Sequence, residues 1–86
     1  MHNDGLALYN AAIMYIKDGV LNETNITKGL ELLNKSAELE TPESLSLFGE
    51  FYLNGMYVTK DTKRGLDYII KAAELNNTYA IALVNS

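Results

Sequence analysis

The chain has 86 residues, no cysteine and a net charge of −4. That length makes one small domain, and the missing cysteines exclude disulfides and thiolate metal sites and fit a reducing, cytoplasmic setting. The acidic balance argues against nucleic-acid binding, which needs a basic patch. No run approaches the ~20 apolar residues of a membrane span, and Met1-His2-Asn3-Asp4-Gly5 lacks the basic start of a signal peptide.

The first predicted element runs from about Asp4 to Lys17. Leu6, Leu8, Tyr9, Ala12, Ile13 and Ile16 follow helical spacing, Asn3 or Asp4 can cap the start, and Gly19 can end it in the left-handed region. A loop follows over Val20 to Thr24. The second helix, about Ile26 to Leu39, carries a stripe of Ile26, Leu30, Leu33 and Ala37, with Thr24 or Asn25 as its N-cap. Thr41-Pro42-Glu43 is the sharpest boundary. Thr41 suits the N-cap, Pro42 the first helical position, and Glu43 the positive end of the helix dipole. The third helix, Pro42 to Leu53, is apolar at Leu45, Leu47, Phe48, Phe51 and Tyr52, and Gly55 stops it. Asp61 caps the fourth, Thr62 to Leu75, which Asn76 or Asn77 ends. A fifth helix, Thr78 to Val84, begins a further unit.

These elements are two copies of one pattern. Residues 8–43 and 44–79 align without a gap at a period of 36 residues, with Gly19/Gly55, Gly29/Gly65, Leu30/Leu66, Lys35/Lys71, Ala37/Ala73, Glu38/Glu74 and Leu39/Leu75 identical. A fixed period in this range means a solenoid, whose units bury their faces only against their neighbours. Gly29, Gly49 and Gly65 fall inside predicted helices, where each costs about 1 kcal/mol relative to Ala. Close approach of another helix is the simplest compensation.

In the second unit Phe48-Gly49, Tyr52, Gly55, Asp61, Arg64-Gly65 and Lys71-Ala72-Ala73-Glu74 resemble the Sel-one-like repeat, a relative of the tetratricopeptide repeat. The first unit departs from the pattern at Ile13, Ile16 and Glu40, where the family has Gly, Tyr and a helix-ending Gly. The resemblance implies an all-α fold, a right-handed α/α solenoid of about two helix-hairpin repeats plus a closing helix. The expected units are 4–40 and 42–76, with the closing helix at 78–86. The expected core is Leu33, Ala37, Phe48, Tyr52, Leu66, Ile69 and Ala73.

Chemistry is sparse. His2 stands alone at the start. Glu38, Glu40 and Glu43 cluster at a turn and read as solvated. Asn22, Asn25 and Asn76 begin Asn-x-Thr triplets, read as chance. No nucleophile elbow, phosphate loop or zinc spacing is present, so neither an enzyme nor a cofactor or metal is expected. Most tyrosines occupy helical packing positions. Tyr57 is the exception, in the apolar loop Met56-Tyr57-Val58, where Met56 is expected to pack.

The resemblance implies a protein–protein interaction module, a small adaptor or inhibitor. An alternative is a bacterial immunity protein that neutralises one cognate toxin, which an acidic chain suits if the toxin domain is basic. In tetratricopeptide-like arrays the first helix of each hairpin lines the concave side. Its open positions are then Asn10, Met14, Lys17, Ser46, Glu50, Leu53 and Asn54, with Tyr57 as a loop candidate. In the closing helix Ala80 and Val84 match Ser44 and Phe48 and should face inward. Tyr79, Ile81 and Leu83 should be left partly uncovered, an apolar end that self-association or the partner covers.

Overall fold

The computed structural model describes residues 4–18 and 23–85. The expectations placed on His2, Asn3, Gly19, Val20-Leu21 and Asn22 lie outside these residues. Helix α1 (Asp4–Ile13) widens into a π-helical turn at Met14–Asp18; α2 (Glu23–Glu38), α3 (Pro42–Asn54), α4 (Thr62–Glu74) and α5 (Thr78–Val84) follow. No strand occurs among the described residues. α1 packs on α2, α3 on α4, and α3 and α5 each lie against the helix before them, which is the stacking of an α/α solenoid.

The helix ends show how the period is enforced. At the end of α2 the Thr41 N–H donates to the Ser36 carbonyl and the Glu40 N–H to that of Ala37. One period later the Asn77 N–H donates to Ala72 and the Asn76 N–H to Ala73. Both are Schellman closures, with Glu40 (φ 59°) and Asn76 (φ 66°) in the left-handed position. Gly55 ends α3 at φ 66°. Asp61 caps α4 by accepting from the Arg64 N–H at 3.0 Å, and Asn77 caps α5 by accepting from the Ala80 N–H at 2.8 Å.

Two caps differ from expectation, and of the two candidates for the first cap only Asp4 is among the described residues. Asp4 lies inside the first turn of α1, and α2 starts at Glu23, which puts Thr24 and Asn25 inside its first turn. Thr41 stands at the N-cap of α3 with Pro42 at the first helical position, but its hydroxyl makes no capping bond. That hydroxyl instead fills the space over Gly5, where an added Cβ would collide with it.

The interior glycines are helix crossings. A Cβ on Gly65 would sit 2.8 Å from the Gly49 carbonyl oxygen and 2.8 Å from Leu53 Cγ. In the first unit the equivalents of Gly49 and Leu53 are Ile13 and Lys17, yet Gly29 meets the Ala12 carbonyl and Ile16 instead. The crossing has therefore slipped by one residue. Ile13 is too bulky for a backbone contact, Ala12 takes it, and Ile16 fills the role of Leu53. The π-helical turn begins directly after Ile13. A π turn carries an extra residue, so it changes which side chains face the neighbour.

Ala12, Ile16, Leu33, Ala37, Leu45, Phe48, Phe51, Ile69, Ala72 and Ala80 form the buried core, with Tyr52 and Ala73 half-buried against it. Leu66 departs from the expectation at 46% exposure. The buried face of α4 is Gly65, Ile69 and Ala72, and Leu66 points about 100° away from Gly65, beside the exposed Ile70. α5 has seven residues where α3 has 13, and it leaves both uncovered. Val84 is also exposed, at 46%, against the expectation from Phe48. Phe48 is covered by Tyr68 of α4, with ring centroids 5.3 Å apart, and no helix among the described residues does the same for Val84. Ala80 is fully buried and Ile81 half-buried, both in line with the expectation.

A candidate partner groove on the first helices of the hairpins

The first helix of each hairpin contributes to one surface. α3 runs along its middle, and a groove of about 230 Å³ follows it, lined by Tyr9 from α1, Glu43, Ser46, Leu47 and Glu50 from α3, and Asn77 and Tyr79 at α5. The Tyr79 hydroxyl donates to the Glu50 carboxylate. Leu47 and Tyr9 are half-buried and give the groove an apolar part; Glu43 is exposed and Glu50 half-buried. Among the described residues neither carboxylate is ion-paired to a lysine or arginine.

The phenols register this negative field. Tyr9 titrates above its ordinary value, first because burial disfavours the phenolate and then because of the Glu43 charge. Tyr79 is also raised, first by its hydrogen bond to Glu50, then by burial and by the Glu50 charge.

The structure brings Ser46, Glu50 and Tyr79 to this groove and leaves the other expected residues apart. Ser46 is buried, not open: its hydroxyl donates to the Glu43 carbonyl at 3.1 Å. Leu53 is half-buried because it covers Gly65. Asn10, Met14, Lys17 and Asn54 are exposed but do not line the groove. Tyr57 is exposed in a left-handed conformation, with its ring edge-on to Phe51 at 5.1 Å between centroids. Val58, rather than the exposed Met56, packs against the core from this loop. Tyr79 and Leu83 are exposed. Sequence reasoning missed Tyr9, Glu43, Leu47 and Asn77 as groove residues. The spacing Glu43, Leu47, Glu50 is a helical stripe that ties two of them to the expected Glu50.

A second surface lies on α4. Arg64 donates to the Tyr52 hydroxyl at 3.2 Å and its guanidinium stands 5.2 Å from the Tyr52 ring centroid. Tyr52 stacks on Tyr68 at 5.9 Å, and a groove of about 320 Å³ is lined by Leu45, Arg64, Asp67, Tyr68 and Lys71. The charges here are mixed and mostly paired: Lys63 with Asp67, and Lys71 with Glu40.

Among the described residues no group of three or more His, Cys, Asp or Glu side chains could hold a metal ion. Among them, too, no helix is long and apolar enough to cross a membrane. No curated protein and no solved structure matches the chain. The Sel1 repeat model matches residues 5–40 and 42–77, so each match holds one helical hairpin of the structure. Repeats of this kind form helical solenoids, generally mediate protein–protein interaction and are typically non-catalytic. With most of its length in the two matches and its helices stacked in that order, the chain belongs to the Sel1 repeat family.

Proposed function

We propose that the chain is a small non-catalytic adaptor or inhibitor that holds a partner protein along the groove over α3. The observation that carries this reading is that α1, α3 and α5 each supply side chains to one continuous groove. A surface built across repeats is how solenoids grip extended partners. Tyrosines at its rim, Tyr9 and Tyr79, offer large area with a polar tip, the chemistry enriched where binding energy concentrates.

Replacing Tyr9 or Tyr79 by the photoreactive residue benzoylphenylalanine and irradiating in native cells tests the face. Cross-links from these positions, and none from Tyr68 on α4, are expected. Cross-links from position 68 alone would move the site to the other surface.

A dedicated inhibitor of one toxin is the second reading, supported by the net charge of −4 and by the two groove carboxylates, to which no cation is paired among the described residues. Opposite charge accelerates encounter with a basic target. A single stoichiometric partner on co-purification supports this reading; several partners support the adaptor. Self-association through the apolar end is part of the same proposal. Leu66, Ile70, Leu83 and Val84 are all at least 36% exposed there. Sedimentation of the wild type against Leu83→Lys/Val84→Lys should show a dimer lost, and a monomer in both discards it.

A further inference from the structure

The groove has a length and a charge spacing that constrain what fits it, and the inference drawn from them rests on the groove being the partner site. Glu43 and Glu50 stand seven residues apart on α3, which at 1.5 Å per residue is about 10 Å along the helix axis. Between them lies Leu47, one turn from each, and no cation is paired to either carboxylate among the described residues. Tyr9 closes one side and Tyr79 the other.

We infer that the groove takes an extended basic segment carrying Lys or Arg at positions i and i+3. In a polyproline II conformation, with three residues per turn and a rise of 3.1 Å, side chains three apart share a face and stand about 9 Å from one another. That matches the separation of the two carboxylates. The methylene stems of the basic side chains lie on Leu47 and the tyrosine rings while their charged heads reach Glu43 and Glu50. A head arriving at Glu50 shares the carboxylate with the Tyr79 hydroxyl, since an ionised carboxylate has acceptor sites for both. The α4 surface does not offer this: its carboxylate Asp67 and its cation Lys71 already have partners of opposite sign.

The test titrates the isotope-labelled 86-residue chain with three blocked peptides by NMR at low salt: Lys-Pro-Pro-Lys, its composition-matched isomer Lys-Lys-Pro-Pro, and Glu-Pro-Pro-Glu. Lys-Pro-Pro-Lys should shift the amides of Tyr9, Leu47 and Tyr79 and bind about fivefold more tightly than the isomer, the scale of one well-placed exposed ion pair. The acidic peptide should leave those amides unmoved. Glu43→Gln/Glu50→Gln should weaken Lys-Pro-Pro-Lys by a similar factor for each carboxylate lost, with an unchanged thermal melt to show that the fold persists. Glu31→Gln, on the exposed face of α2, should leave the affinity as it was and so exclude a response to net charge alone. Equal binding of the two lysine peptides, or shifts centred outside the groove, overturns the inference. The cross-linking above separates this from the reading beneath it. A native partner captured from Tyr9 through a segment without basic residues keeps the groove and discards this chemistry, and capture only from α4 discards both.

Discussion

Ser44 on α3 donates its hydroxyl to Ser36 on α2 at 2.6 Å, and both side chains are fully buried. Ser36 in turn donates to the Gly5 carbonyl on α1 at 2.6 Å, so one chain of hydroxyls joins three helices across the boundary between the units. One period later the same positions are Ala72 and Ala80, also fully buried. Sequence identity is lost there while the small size is kept.

This arrangement predicts non-additive mutants. Ser36→Ala leaves the Ser44 hydroxyl buried without its partner and should cost about 1–3 kcal/mol in urea unfolding. Ser36→Ala/Ser44→Ala removes the orphan and reproduces the alanine pair of the second boundary. It should be more stable than Ser36→Ala alone. A double mutant less stable than the single one contradicts the role given to the relay.

Gly65→Ala opposes two effects of known sign. Helix propensity favours Ala by about 1 kcal/mol, while the new Cβ would lie 2.8 Å from the Gly49 carbonyl oxygen, a backbone atom with little room to move. Overpacking of this kind costs typically about 1–3 kcal/mol, so a lower melting temperature is expected. A rise would mean that the two helices can separate freely at this crossing.

Glu40→Gly should stabilise the protein. Glu40 holds φ 59° at the end of α2, a conformation that costs an L-residue about 1–2 kcal/mol and glycine almost nothing. The substitution also removes the exposed Lys71–Glu40 ion pair at 3.3 Å, which at that exposure contributes about 0–1 kcal/mol. A net gain of about 1 kcal/mol remains. Asn76→Gly should gain less, since Asn tolerates the left-handed region. Equal gains at the two sites would remove the strain argument.

Stability should fall at alkaline pH. Tyr9 and Tyr68 are raised above their ordinary value, each mainly by burial. A raised phenol holds its proton more tightly in the folded state than in the unfolded one. Its contribution is complete below the unfolded value of about 10 and is lost as pH rises through the higher folded value. Chemical denaturation across that window should show the decline, and Tyr68→Phe should make it shallower. A flat profile would show that neither phenol differs between the two states.

The period, the hairpins and most of the core were legible because each depends on spacing within one helix. Leu33, Ala37, Phe48 and Ile69 are buried where the stripes put them. What failed depended on a neighbouring helix. Leu66 and Val84 carry the right residue type at the right repeat position, yet both are exposed, whereas Leu30 is half-buried and Phe48 lies under Tyr68. The slip in the first unit was half-visible. Ile13 in place of Gly marked the departure, but which residue would replace it at the crossing depends on the π-helical turn, which no local propensity announces. The groove was partly legible for the same reason: Glu50 came from the open positions of a first helix and Tyr79 from the apolar closing helix, whereas Tyr9 entered because α1 lies beside α3 in space.

α5 has seven residues and a single fully buried side chain, Ala80, yet it supplies one wall of the groove. A helix this short adds little to its own persistence, and its opening free energy lies near the low end of the scale within a domain. Whatever contacts Tyr79 must therefore hold α5 closed as a condition of contact. Part of the binding energy is then spent on that closure, and amide exchange across Ala80–Val84 should slow in the complex by the factor that mass action sets. α5 thus reports occupancy of the groove along α3.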